Sequence, residues 1–180
     1  MPQLKAEDFT GFCMAIGYIA QNWAMLEQTL DAWIAMIYHD IGGRKRVDPK
    51  LPRNFLGKTR FLRKAFNALE PLKPFAKEVI PILDKANNMS PKRNDLIHGV
   101  LTSMTPINGE WQMLILDLDS PEDEKHWHVA RKFTFSPASF QALEAKLVPL
   151  AVESAQMGLR LSKSILNPLR SGPILDRGDR

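Results

Sequence analysis

Apolar residues recur along the start of the chain at steps of three and four: Phe9, Phe12, Ile16, Ile19, Trp23, Leu26, Leu30, Trp33 and Ile37. At about 3.6 residues per turn this spacing gathers them into one stripe, and the pattern predicts a helix from about Ala6 to Ile41. Gly42-Gly43 stops it. Phe55, Thr59, Leu62, Phe66 and Leu69 step by four and three as well, predicting a second helix after a basic loop, Arg44–Pro52. Pro71 and Pro74 separate it from a third, Phe75 to Asn88. Ser90-Pro91 has the form of a helix start, a capping serine followed by proline at the first helical position. It predicts a break there and a short helix from Pro91 to His98, ended by Gly99.

Beyond Gly99 the period changes. Asn108-Gly109 lies between V-L-T-S-M-T and W-Q-M-L-I-L, and a two-residue turn that favours positive φ at both positions predicts a hairpin. A third strand is expected from His126 to Phe135. Trp127, Val129, Phe133 and Phe135 would share one face with Arg131, and His126, His128, Lys132 and Thr134 the other. The acidic stretch D-S-P-E-D-E joins the second and third strands. Ser136-Pro137 is another helix start, and Phe140, Leu143, Leu147, Leu150, Leu161 and Ile165 mark the last helix, with Pro149 as a kink point. The expected fold class is mainly α, an up-and-down helical bundle with a small antiparallel β-sheet inserted before the last long helix. A single domain covers residues 1–167 with the insert at about 100–135, and the aperiodic tail 168–180 is expected to be disordered.

A chain of 180 residues with 44% hydrophobic residues can build one ordinary core. Its one cysteine, Cys13, rules out a disulfide framework within the chain and falls among apolar residues, where a buried, inert thiol is expected. M-P-Q-L-K-A-E-D has neither the basic start nor the apolar run of a signal peptide, and no apolar stretch approaches the ~20 residues that cross a bilayer. The expectation is a cytoplasmic protein with no membrane contact. Net charge is +4. Its distribution is uneven: from Arg44 to Lys64 nine basic residues stand against one acid, a local +8 that leaves −4 for the rest. Such a stripe reads first as a solvated face and second as an attractor of a polyanion such as RNA. Arg60, Arg63 and Lys64 are its candidate substrate contacts.

The chemistry-bearing segment is K-R-N-D-L-I-H-G, Lys92 to Gly99. Asn94 and His98 are four apart on a helix, so Asn94 can hydrogen-bond the ring and fix its tautomer. Arg93 and His98 are five apart, about 140° around the axis and about 7.5 Å along it. A long arginine can still reach the same pocket, and its guanidinium suits a phosphate. Lys92 adds a further positive charge beside it.

The pattern R-N-x-x-x-H-G, late in a helical chain, resembles the R-x-x-x-x-H motif of HEPN domains. The context agrees: W-A-M-L-E, Trp23 to Glu27, on the long first helix, and F-L-G-K, Phe55 to Lys58, on the next. The resemblance implies an HEPN-like bundle that dimerises with the motif helices facing each other. It implies RNA as substrate and metal-independent cleavage through 2′-hydroxyl attack. It also implies a place in toxin–antitoxin or phage-defence systems, with an antitoxin protein as partner. Arg93, His98 and Asn94 would be the catalytic set. An imidazole suits general acid–base work near neutral pH, and a fixed guanidinium stabilises charge on phosphoryl oxygens.

The competing expectation is a non-catalytic HEPN-like module for dimerisation or partner binding, with Arg93 and His98 as structural polar groups. A plain RNA- or DNA-binding protein rests on the basic stripe alone. Exposure of Arg93 and His98 separates the readings. His126 and His128 are two apart on one strand face, a spacing metal sites use, but no third ligand accompanies them and a polar sheet face is preferred. No P-loop, dinucleotide fingerprint or nucleophile elbow occurs, and neither metal nor cofactor is expected.

Overall fold

A computed structural model describes residues 5–107, 110–119 and 129–166. In chain order it has helix α1 (Ala6–Asp40), a helical turn α2 (Gly43–Arg46), helix α3 (Phe55–Ala68), a 3-10 turn (Lys73–Phe75) and helix α4 (Ala76–His98). Strands β1 (Val100–Ile107), β2 (Glu110–Asp119) and β3 (Val129–Phe135) follow, then helix α5 (Pro137–Leu161), which closes in a π-helical turn, Ser162–Leu166. The protein is thus mainly helical, with a three-stranded antiparallel sheet before the last long helix. No helix among the described residues is long and apolar enough to cross a membrane.

Two compact units share the chain: Met1–Ala24 with Asn88–Pro149, and Met25–Asn87 with Leu150–Arg180. In the first, Phe12 lies against Phe140 and Phe140 against Phe135, with ring centroids 5.6 and 5.7 Å apart. Ile19, Trp23, Leu96, Met113, Ile115, Leu143 and Leu147 complete this core. In the second, Trp33 meets Phe66 edge-on at 6.3 Å, and Leu26, Leu30, Ile37, Leu62, Leu83, Leu150 and Leu161 are buried around them. The helical stripes read from the sequence are therefore mostly the core; Phe9 is 46% exposed, and Ile16 and Phe55 are half-buried.

Local chemistry sets the element ends. Gly42 takes φ 81°, a left-handed conformation that glycine adopts without a side-chain clash, and it ends α1. The basic loop expected from Arg44 begins instead with the turn α2, because Arg46 and Val47 donate back to the carbonyls of Gly42 and Gly43. The Asp48 carboxylate then accepts from the Lys50 amide, and the Tyr38 hydroxyl donates to the Pro49 carbonyl at 2.7 Å, which fastens the loop to α1. Asn54 caps α3 by accepting from the Gly57 amide at 2.7 Å. Ser136 likewise accepts from the Ser139 amide, so α5 starts at Pro137 as its Ser-Pro signal indicates.

Two expectations are corrected. Ser90-Pro91 does not break the chain: α4 is one helix from Ala76 to His98. A mid-helix proline removes one backbone hydrogen bond and crowds the preceding turn, at about 3 kcal/mol. Leu83, Ala86, Met89 and Leu96 are buried on both sides of it, and fixing these side chains outweighs a local start signal. Cys13, expected to be buried, is exposed, because it sits one position off the Phe12 stripe and turns away from the core.

The strands pair in the order β1-β2-β3. Pairing of β1 with β2 reaches Ile107↔Glu110, as the hairpin reading requires, while Asn108-Gly109 itself lies outside the described residues. The register shifts between Leu101 and Ser103, and there the Thr102 hydroxyl donates to the Leu114 carbonyl at 3.0 Å. The stretch 120–128, with most of the acidic loop, His126, Trp127 and His128, and the tail 168–180 also lie outside the described residues.

Candidate functional site at the end of helix α4

The continuous run of α4 through Pro91 places Arg93, Asn94 and His98 on one regular helix. Along such a helix two residues five apart do not stack, so a contact between them must come from the longer side chain. Arg93 supplies it. Its Nη1 lies 3.4 Å from His98 Nε2 and donates to the Asn94 side-chain oxygen at 2.9 Å. The guanidinium carbon stands 5.7 Å from the centroid of the Trp23 ring, within cation–π range. All four residues belong to one compact unit.

Burial grades across the group. Trp23 is 2% exposed, Arg93 half-buried, and Asn94 and His98 exposed. Arg93 Nε is fully buried and has no hydrogen-bond partner among the described residues. An orphan donor of this kind costs about 1–3 kcal/mol, and the aromatic face of Trp23 offsets part of that. The result is a half-buried guanidinium whose Nη1 meets an exposed imidazole.

The Asn94–His98 hydrogen bond allowed by the four-residue spacing does not form. Asn94 orients Arg93, and Arg93 in turn meets the ring. A guanidinium has no lone pair to offer, so any hydrogen bond in this contact has Nε2 as acceptor, which the tautomer protonated on Nδ1 provides. Trp23 is the member that sequence reasoning missed. The signal was present in W-A-M-L-E, but helical periodicity assigns such a tryptophan to the core and says nothing of a cation above its ring.

The other candidate contacts divide. Lys92 is exposed beside Arg93. Arg60, Arg63 and Lys64 belong to α3, in the other compact unit. Arg63 is paired with Asp84. On the same helix Lys58 is buried and pairs with Glu27 at 2.9 Å and Asp31 at 2.8 Å. Burial works against its charge, but the hydrogen bonds to Asp31 and Glu27 outweigh it and hold the ammonium above its ordinary pKa. The segments W-A-M-L-E and F-L-G-K are thus tied by Glu27 and Lys58.

A cavity of about 540 Å³ in the first unit is floored by Phe12, Trp111 and Phe140 and rimmed by Glu7, Asp8 and Glu144, a charge that repels a polyanion. Among the described residues no three His, Cys, Asp or Glu side chains converge as metal ligands. Comparison with known proteins finds no matching family model, no matching curated protein and no matching solved structure.

Proposed function

We propose that the chain is a metal-independent endoribonuclease of the HEPN type that works as a homodimer, with Arg93 and His98 acting on the phosphodiester and Asn94 holding Arg93. The observation that carries this reading is the approach of Arg93 Nη1 to His98 Nε2, 3.4 Å, at an exposed helix end. A contact of that length is weak. A phosphodiester offers Nη1 a charge-assisted acceptor in its place. That exchange frees the Nε2 lone pair beside the bound phosphate. Nε2 then takes the proton of the 2′-hydroxyl as the 2′-oxygen bonds to phosphorus. The 5′-oxygen leaves with its bonding pair and receives a proton from an acid, leaving a 2′,3′-cyclic phosphate and a 5′-hydroxyl. The imidazole of the second copy is assigned as that acid. Arg93 stabilises the charge that grows on the phosphoryl oxygens. Lys92 adds salt-sensitive attraction for the strand. A toxin or defence role, with an antitoxin protein as the controlling partner, belongs to the same proposal.

The test is RNA cleavage in EDTA. His98→Ala and Arg93→Ala each reduce the rate by about a hundredfold or more, the usual worth of a positioned acid–base or electrostatic group. Equal cleavage by native protein and His98→Ala refutes the assignment.

A second reading, the non-catalytic interaction module, is favoured by one observation. Phe9, Met14 and Tyr18 on α1 are 46%, 70% and 48% exposed, a large apolar area for one helix. It predicts self-association that Met14→Glu with Tyr18→Glu abolishes, and no cleavage by any variant.

A further inference from the structure

Of the nine basic residues between Arg44 and Lys64, Arg44, Lys45 and Arg46 lie on the turn α2, and the other six separate into two sets once partners are assigned. Lys58 and Arg63 are neutralised by Glu27, Asp31 and Asp84. Lys50, Arg53, Arg60 and Lys64 make no side-chain hydrogen bond or ion pair among the described residues, and all four are exposed. These four line one cavity of about 350 Å³, between the loop ahead of α3 and the first turns of α3. Arg60 and Lys64 are four apart and share a face of the helix. Lys50 and Arg53 approach from the loop, whose path is fixed by the Tyr38–Pro49 and Asp48–Lys50 hydrogen bonds. Asp48 is the one carboxylate in the lining. It accepts from the Lys50 backbone amide and makes no ion pair with the four cations. Phe61 and Leu51 supply apolar wall.

Like charges gathered without counter-charge repel one another, a cost that a bound anion removes. The lining holds four cations against one carboxylate. A nucleoside diphosphate carries about three negative charges near neutral pH, because the second ionisation of a terminal phosphate lies near ~6. The volume falls at the lower end of the roughly 300–1,000 Å³ of small-molecule sites, and apolar wall beside the cations suits a ligand that joins a flat, weakly polar group to its phosphates. We infer that this cavity, built by Lys50, Arg53, Arg60 and Lys64, binds a phosphoanhydride ligand of mononucleotide size. The inference does not depend on the ribonuclease reading, since none of these residues belongs to the Arg93 and His98 group.

Isothermal titration calorimetry of the full chain at low ionic strength tests it, with ADP, inorganic pyrophosphate and a short RNA lacking a terminal phosphate as titrants. ADP and pyrophosphate bind, and affinity falls steeply with added salt. Arg60→Ala combined with Lys64→Ala weakens ADP by at least tenfold, about 1.4 kcal/mol by the logarithmic relation. Lys50→Ala with Arg53→Ala, which leaves α3 intact, does the same and covers the case in which the helix variant misfolds. Arg63→Ala, already paired, and His98→Ala leave ADP affinity within about twofold. Three results overturn the inference: no binding of ADP or pyrophosphate at millimolar concentration, ADP affinity as in the native chain in both double variants, or binding of the RNA alone.

Discussion

Replacing Lys58 by methionine isolates the energetics of the one buried cation that ties α1 to α3. Methionine keeps the length and most of the volume of the side chain, so the core is not opened. What is lost is the pair of charge-assisted hydrogen bonds to Glu27 and Asp31, at 2.9 and 2.8 Å. Each such bond contributes about 1.5–3 kcal/mol when well shielded. The carboxylates are less shielded than the ammonium. The Lys58 side chain is 11% exposed, Glu27 28% and Asp31 50%, so both acids regain water when the lysine is gone. Asp31 then contributes little and Glu27 keeps a residual desolvation penalty, which gives a net loss of about 2–3 kcal/mol, below the roughly 3–5 kcal/mol of breaking a fully buried pair from one side. Urea denaturation near neutral pH, followed by far-ultraviolet circular dichroism, reads this as a midpoint about 1–2 M lower at a typical slope. Adding Glu27→Gln to the methionine variant restores part of the loss, because the stranded charge is removed.

The pH dependence gives an independent check with a fixed sign. Lys58 holds its proton more tightly in the folded chain than at its ordinary value of 10.5. Its contribution is fully present below that value and is lost as pH rises through the higher folded one. The stability difference between native protein and the methionine variant is therefore flat from neutral pH to about 10 and shrinks above it. A variant within about 0.5 kcal/mol of native at neutral pH, the range of a neutral surface change, refutes the reasoning. So does a difference that grows in alkali.

Three further outcomes follow from local geometry. Gly158→Ala destabilises by about 1–3 kcal/mol in the same denaturation assay, since the new methyl would lie 2.7 Å from Trp33 Nε1 in a packed core. Gly17→Ala, also within a helix but with nothing within 4 Å of the added carbon, stabilises by about 0.5–1 kcal/mol. Cys13 is exposed, so a thiol reagent modifies it in the folded chain at a rate close to that in urea, whereas a buried thiol would show a large gap.

The helices and strands were legible because burial follows period, and period is visible in sequence. Leu26, Leu30, Trp33 and Ile37 announce a core face, and Met113 and Ile115 alternate as one side of a sheet must. Ser136 was readable as a cap because its role is local. Ser90 carries the same signal and means nothing, since whether a proline ends a helix depends on what Met89 and Leu96 bury, and that is decided by the whole fold. The candidate site divides in the same way. Arg93, Asn94 and His98 could be picked from one short segment. Their wiring could not, because it passes through a tryptophan seventy positions earlier that brings an aromatic face to the guanidinium.

The basic residues of this chain therefore differ less in charge than in what holds them, and that difference argues what each can do. Lys58 and Arg63 have their counter-charges built in, so an incoming anion would have to displace a carboxylate before it gained anything. Among the described residues Lys50, Arg53, Arg60 and Lys64 have no ion-pair partner and gain from a bound anion, but their exposed stems must be ordered on binding, at about 0.5–1.5 kcal/mol each. They are suited to capture. Among the described residues Arg93 alone is held without an acid as ion-pair partner: Trp23 packs on its guanidinium and Asn94 accepts from it. A donor fixed before the substrate arrives needs no reorganisation when charge develops, which is the condition for lowering a barrier and not merely for binding. Arg93→Lys keeps the charge but loses the flat fork that both neighbours hold. It should then preserve RNA affinity while cleavage falls, and a parallel fall in both would mean that Arg93 only binds.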